Sequence, residues 1–326
     1  YFGQLFLAGA LSLINYPDSL TPSNNAYSIQ MLYLVPRVLM GVLAVFDTFL
    51  VYKIADKRYN RKAGIISAAL FAVMPLGWML RGIFLDSILL PFLLLSILFS
   101  VYYAKRAGCD NHNNNGNNGN IILILLSGIF LGLAIFTKIP VFTMIPLIVF
   151  IILKSGKGKA KDRLKHTGIW IIPVILIPMI WPAYAMSAGQ FDEWLNGSLW
   201  QATRSDRPFP DEIKNMFFRM DPVLLGLAAV GLCYSVIKRD YFILLWAFPY
   251  LIFLYIINWV YFFHLTTVYA PFCIIVTILL LDILRKISNK QLSKMIEFFA
   301  FGVIIVFGFM TSTMLITQKV NDDNFQ

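Results

Sequence analysis

Met79-Leu80-Arg81-Gly82-Ile83-Phe84-Leu85-Asp86-Ser87-Ile88-Leu89-Leu90-Pro91 separates two apolar runs with an arginine and, five residues later, an aspartate. A cation at the end of one helix and an anion at the start of the next both complement the helix dipole. The stretch therefore predicts a tight turn between two membrane helices at headgroup level, with Arg81 closing the first and Asp86 opening the second. Read by itself, Asp86 is a helix cap and Arg81 its interfacial partner or a snorkelling side chain. The other reading is that the pair lines a site for a charged ligand.

The composition on either side of this turn belongs to a membrane protein. Hydrophobic residues make up 59% of 326 and charged residues 13%, and mean hydropathy is +0.72, whereas soluble domains are roughly 45–50% apolar and about 25% charged. The class expected is all-α and polytopic. Ten spans are predicted, at about 27–52, 63–80, 85–104, 120–136, 139–153, 168–187, 222–237, 241–260, 264–284 and 295–316, with Pro140, Pro146, Pro173 and Pro178 bending or breaking some of them. Tyr1 to Leu13 is apolar but shorter than the roughly 20 residues that cross a bilayer, and reads as an interfacial helix or the end of one. The first residue is Tyr1 rather than Met, so the natural start is expected upstream. The chain reads as one transmembrane domain over 1–326.

The net charge of +10 does not point to nucleic acid, because the basic residues are confined to particular loops. Of 27 Lys and Arg, 19 fall in every second loop, at 53–62, 105–120, 154–166, 238–240 and 285–294. The positive-inside rule places these in the cytoplasm and the loop 188–221 outside. Residues 108–120 are dominated by Asn and Gly and read as a disordered cytoplasmic linker. Three cysteines fit neither a metal spacing nor a disulfide framework, and no metal site is expected.

Chemistry-bearing residues collect on the inferred outer side. The loop 188–221 holds Arg204 and Arg207 among acidic residues and tryptophans, and the sequon Asn196-Gly197-Ser198 makes Asn196 a glycosylation candidate. Lys138 sits in the hairpin Thr137-Lys138-Ile139-Pro140, and His264 opens a span after Tyr261-Phe262-Phe263. Each has a plain interfacial reading. Collectively Arg81, Lys138, Arg204, Arg207 and His264 suit a lipid-borne phosphate, which Arg and Lys bind through charge-assisted hydrogen bonds and whose developing charge they can stabilise. Arg37, inside its span, should face the bundle or a wet cavity.

A family resemblance runs through these residues. Arg37 to Tyr103, with Lys57-Arg58-Tyr59-Asn60-Arg61-Lys62-Ala63-Gly64 between two spans and then Pro75, Arg81 and Asp86, resembles the C-type glycosyltransferases (GT-C). The likeness is to the protein O-mannosyltransferase and aminoarabinose transferase branch, glycosyltransferase family 39 and its relatives. Tyr1-Phe2-Gly3-Gln4-Leu5 looks like the segment after the family's His-Pro-Pro motif. Gly132 to Lys138 looks like its Gly…Thr-Lys motif, and His264 with Pro271 matches the spacing of its Arg-Tyr…Pro motif, with His264 and Leu265 standing where Arg and Tyr are usual.

The resemblance implies a membrane enzyme that moves a sugar from a polyprenyl (dolichyl)-phosphate donor to a protein or lipid acceptor on the external or lumenal face. The lipid-phosphate sugar is then a substrate, and no cofactor is implied. The family's general base lies in a first external loop, expected upstream of Tyr1; Asp86 is given a supporting catalytic role, orienting the acceptor or holding Arg81 toward the phosphate. A different class of function shares the same features: a non-catalytic GT-C-like subunit serving as scaffold or partner in a membrane complex.

Overall fold

Long apolar runs have no way to satisfy their backbone in lipid except as helices, and helix dominates the structure, a computed structural model describing residues 2–13, 26–109, 116–155, 160–203 and 208–320. In chain order the helices are α1 (Phe2–Ser12), α2 (Ala26–Arg58), α3 (Arg61–Val73), α4 (Leu85–Cys109), α5 (Gly116–Thr137), α6 (Ile145–Lys154), α7 (Ala160–Leu176), α8 (Ile180–Ser187), α9 (Phe191–Thr203), α10 (Phe209–Arg219), α11 (Pro222–Lys238), α12 (Tyr241–Ile257), α13 (Thr266–Arg285) and α14 (Lys290–Val320). Short 3-10 segments cover Pro75–Arg81, Ile139–Met144 and Phe262–Leu265. No β-strand occurs among the described residues.

Five helical stretches are long and apolar enough to cross a bilayer: Tyr33–Arg58, Leu85–Gly108, Gly119–Thr137, Phe262–Arg285 and Gln291–Met314. The pair α7 and α8, bent by 40° next to Pro178, counts as a sixth if it is one broken span. The chain is an integral membrane protein. Of the ten expected spans, those at 139–153, 222–237 and 241–260 correspond to the shorter apolar helices Ile139–Lys154, Pro222–Lys238 and Tyr241–Ile257. The one at 63–80 is shared between α3, of 13 residues, and the 3-10 segment Pro75–Arg81. Residues 110–115 of the Asn/Gly run lie outside the described residues, and α5 already begins at Gly116. The stretch 188–221 holds α9 and α10, each with two acidic residues in its first turn, where the dipole favours them.

The described residues form two compact units: 1–47 with 80–204, and 48–79 with 205–326. In the first, α4 and α5 pack through small side chains. Ser96 donates its hydroxyl to the Ser127 carbonyl at 2.7 Å and Ser127 donates to the Ser96 carbonyl at 2.9 Å. On α5, Gly128 and Gly132 have the small-xxx-small spacing that lets helix backbones approach. A Cβ at Gly128 would stand 2.5 Å from the Trp170 carbonyl oxygen of α7, and one at Gly132 2.6 Å from that of Pro173. Helix α1 docks by Phe2, whose ring lies against Phe92 and Phe136 at 5.3 and 6.2 Å between centroids.

In the second unit α13 is the central helix, buried without interruption from Thr266 to Thr277. Its Tyr269 hydroxyl donates to the Phe71 carbonyl at 2.7 Å, satisfying one of the carbonyls that the end of α3 leaves over. Asp221, fully buried, caps α11 by accepting the Leu224 N–H at 2.9 Å and holds the 3-10 segment by accepting the Leu76 N–H at 3.3 Å. Burial pushes its carboxyl up to about 6, against the opposing pull of those two N–H groups.

An unfolded aspartate titrates near 3.9, so the folded chain holds this proton more tightly than the unfolded chain does. The resulting stabilisation is complete below about pH 4 and is lost as pH rises through about 6. Denaturation in detergent is expected to show the parent losing about 3 kcal/mol relative to Asp221→Asn between pH 4 and 7. A difference between the two proteins that does not change with pH would show that this carboxyl does not titrate in that window.

Candidate functional site

The turn between the two apolar runs has the predicted form. The 3-10 segment ends at Arg81, and α4 opens at Leu85 with Asp86 in its first turn. Ser87 ties the turn, its hydroxyl donating to the Gly82 carbonyl at 3.0 Å and its N–H to the Phe84 carbonyl at 3.1 Å. At the same end of the α4–α5 hairpin, α5 stops at Thr137, and Lys138 takes an extended backbone, φ −156° and ψ 116°, ahead of Pro140.

The two termini bring Asp86 and Lys138 together. The Lys138 Nζ donates to both carboxylate oxygens of Asp86, each at 2.8 Å, with the Asp86 side chain 3% and the Lys138 side chain 19% exposed. Such a partner offsets much of the cost of burying a carboxylate this deeply. Helix α1 closes one side of the pair: a Cβ at Gly3 would stand 2.8 Å from both Leu85 Cδ2 and Thr137 Cγ2, the neighbours of Asp86 and Lys138. The three segments that carry the family resemblance in this unit, Gly3, Asp86 and Gly132 to Lys138, thus converge. Gly132 seats α5 on α7, Thr137 turns its hydroxyl to the Leu133 carbonyl at 2.8 Å, and Lys138 reaches Asp86.

The expected partnership of Asp86 with Arg81 is not what the structure contains. Arg81 is exposed, with no ion pair among the described residues, and Asp86 holds Lys138. No local pattern announces this pairing, because 52 residues separate its members. Arg204 and Arg207 lie outside the described residues, and Asn196 is exposed on α9. His264 belongs to the other unit and is buried; its Nδ1 accepts the Tyr261 N–H at 3.0 Å, and its carbonyl accepts the Tyr250 hydroxyl at 3.0 Å. In this geometry Nδ1 of His264 is taken up by a backbone N–H.

Arg37 faces outward on α2 and not into the bundle, while Asp47, ten residues further along the same helix, is 1% exposed and neither of its oxygens finds a hydrogen bond among the described residues. A lone aspartate inside an apolar run was the available signal for it. No cluster of three or more His, Cys, Asp or Glu suited to a metal ion occurs among the described residues.

Chemically, the pair presents an ammonium at the rim of a buried carboxylate. An incoming phosphate oxygen would share or compete for the same ammonium, and any such exchange changes the charge felt by Asp86. That coupling is a means of linking anion binding to the state of a carboxylate.

The family profile described as dolichyl-phosphate-mannose-protein mannosyltransferase matches residues 28–181, a stretch that contains the turn, Asp86 and Lys138. No curated protein sequence matches the chain. Among solved structures, the chain is similar to the Archaeoglobus fulgidus oligosaccharyltransferase tethered to an acceptor peptide containing an NVT sequon, at 14% identity and TM-score 0.53, covering 86% of this chain and 44% of that one. It is likewise similar to the oligosaccharyltransferase AglB of the same organism in complex with an inhibitory peptide and a dolichol-phosphate, at 12% identity and TM-score 0.54, covering 95% of this chain and 47% of that one. The chain spans about half the length of either structure. At these identities the shared property is the fold.

Proposed function

We propose that this chain, a GT-C superfamily protein, is the membrane-embedded part of a glycosyltransferase that moves a sugar from a polyprenyl-phosphate donor to a protein or lipid acceptor on the external face. The observation that carries the reading is the Asp86–Lys138 pair at 2.8 Å, assembled from two of the segments through which the family is recognised and lying inside the matched region 28–181. Lys138 and Arg81 are the residues assigned to the donor phosphate. Asp86 is a positioning residue that holds the ammonium in place. The acceptor group gives up its proton to a general base and attacks the anomeric carbon, the bond to the phosphate oxygen breaks, and the lipid phosphate leaves with the negative charge that a fixed ammonium stabilises.

Reconstitution of the full-length protein in liposomes with a labelled polyprenyl-phosphate sugar tests this directly. Transfer of label to an acceptor peptide or lipid is the expected result. Absence of transfer across mannosyl, glucosyl and aminoarabinosyl donors, with the protein folded, would leave the scaffold reading in its place. The external placement has its own check, motivated by the alternation of basic loops. In a background without native cysteines, Asn196→Cys is expected to react with an impermeant maleimide from the outside, and reaction only from the cytoplasmic side would invert the topology.

A further inference from the structure

The second unit contains a cavity of about 480 Å³ at the end of its helices that carries basic loops, formed where α2 meets α3, where α11 meets α12, and where α13 ends. It is unrelated to the Asp86–Lys138 pair, which belongs to the first unit. Four cations line it, Arg58, Lys238, Arg239 and Arg285, against two carboxylates, Asp240 and Asp282.

Asp282 is engaged on both oxygens, whereas Asp240 keeps one buried oxygen, Oδ1, without a hydrogen bond among the described residues. The Tyr59 hydroxyl donates to Asp240 Oδ2 at 2.6 Å, and Arg58 lies 3.6 Å from its other oxygen. Asp282 accepts from Tyr234 at 3.0 Å and from Lys238 at 2.9 Å. The wall therefore carries an excess of two positive charges, with its acids holding cations and phenols in place. Helix dipoles give no strong bias either way, because the tight turns at 58–61 and 238–241 set a helix C-terminus beside a helix N-terminus in each case.

Two further observations point to a ligand. Ser235 is fully buried, lines the cavity, and its hydroxyl has no hydrogen-bond partner among the described residues. A buried hydroxyl is ordinarily satisfied, and this one has the donor an anion requires. Arg239 sits at φ 55° in the left-handed region directly after α11. That position is ordinarily Gly or Asn, and an arginine there costs of order 1 kcal/mol of backbone energy. Helix termination alone does not call for an arginine in that conformation; a guanidinium needed at the cavity does.

We propose that this cavity is a binding site for a phosphate group, with Arg239, Lys238 and Arg58 as its cationic contacts and Ser235 as its neutral donor. The chemistry is shared by an anionic phospholipid headgroup in the leaflet at the basic-loop side and by a soluble phosphate compound. The lipid source is favoured by location, since basic residues flanking membrane helices on that side attract anionic headgroups. The site is independent of the sugar-transfer reading and stands if that reading falls.

The test uses the full-length protein purified in neutral detergent, with native mass spectrometry and thermal unfolding against phosphatidic acid in one arm and inorganic phosphate in the other, phosphatidylcholine being the blank. Saturable binding that raises the unfolding temperature is expected. Stabilisation by phosphatidic acid alone identifies a headgroup site, and stabilisation by both probes identifies a general phosphate site. Arg239→Gly relieves the left-handed strain, so it is expected to unfold no earlier than the parent, while half-saturation moves to about tenfold higher probe concentration or beyond. Ser235→Ala is a second variant that removes a hydroxyl with no protein partner, and it too is expected to weaken binding. Lys53→Gln is the control: Lys53 is basic and on the same side, but stands over the Phe49 and Tyr52 rings away from the cavity. The proposal is overturned if neither probe binds the parent, if Arg239→Gly and Ser235→Ala bind like the parent, or if Lys53→Gln weakens binding as much as Arg239→Gly, which would mean diffuse surface charge and no site.

Discussion

Lys138→Ala is expected to lower both folding stability and sugar transfer, and the double variant Asp86→Leu with Lys138→Met is expected to recover the first without the second. The single change leaves the 3%-exposed Asp86 side chain without the ammonium that bonds both its oxygens. Removing one partner of a buried pair costs about 3–5 kcal/mol. Asp86→Asn is milder: Asp86 stands in the first turn of α4 and not at its cap, the amide oxygen can still accept from the ammonium, and Lys138, 19% exposed, can turn its ammonium toward water. The double variant replaces the pair with apolar side chains of similar bulk, a change that is often neutral or stabilising. Thermal unfolding in detergent beside turnover at saturating polyprenyl-phosphate sugar separates the two effects. Turnover lowered at least about tenfold in the double variant, roughly 1.4 kcal/mol of transition-state stabilisation, assigns the pair a role in transfer. Parent-like turnover in a stable double variant would make the pair purely structural.

Gly132→Val and Gly128→Val are the second pair of changes with a large expected effect. The atoms a Cβ would meet are backbone carbonyl oxygens of α7, at 2.6 Å from position 132 and 2.5 Å from position 128. A carbonyl oxygen inside a helix cannot swing aside as a side-chain tip can, so α5 and α7 must separate along their length. Overpacking costs about 1–3 kcal/mol where side chains can adjust, and the backbone obstruction places these variants at or above the top of that range. Unfolding temperature and protease resistance of the 80–204 region are the measurements. Gly9→Val is the comparison, since no atom lies within 4 Å of a Cβ there. Equal behaviour of Gly9→Val and Gly132→Val would show that the close contact does not govern stability.

The membrane class was legible because it rests on a property summed over the whole chain, and the opening turn was legible because its charges lie where helix dipoles want them. Local signals also marked the glycines of 128–132 in retrospect, since their four-residue spacing is a helix-packing pattern. What was not legible is pairing at a distance. Nothing near Asp86 distinguishes Lys138 from Arg81 as its partner, and Arg81 is closer in sequence; only the hairpin of α4 on α5 decides it. The count of crossings was uncertain for a related reason, because short apolar helices such as α6, α11 and α12 read like full spans when their ends cannot be located. In 188–221 the density of charge obscured two helices, although Asp192-Glu193 and Asp211-Glu212 are the acidic pairs that helix starts favour. His264 was read for its charge, and its Nδ1 is committed to a backbone N–H that no sequence pattern announces.

The crossed bonds of Ser96 and Ser127 act as a one-tooth ratchet between α4 and α5. Sliding one helix along the other by a single turn, roughly 5.4 Å, would break both bonds at once at a fully buried place in the helix interface. Piston motion is therefore closed to this hairpin, and the spacing between the α4 start and the α5 end, where Asp86 and Lys138 stand, is fixed from a distance of several turns. The two charged residues at that end thus keep their separation without any contact of their own along the rest of the hairpin.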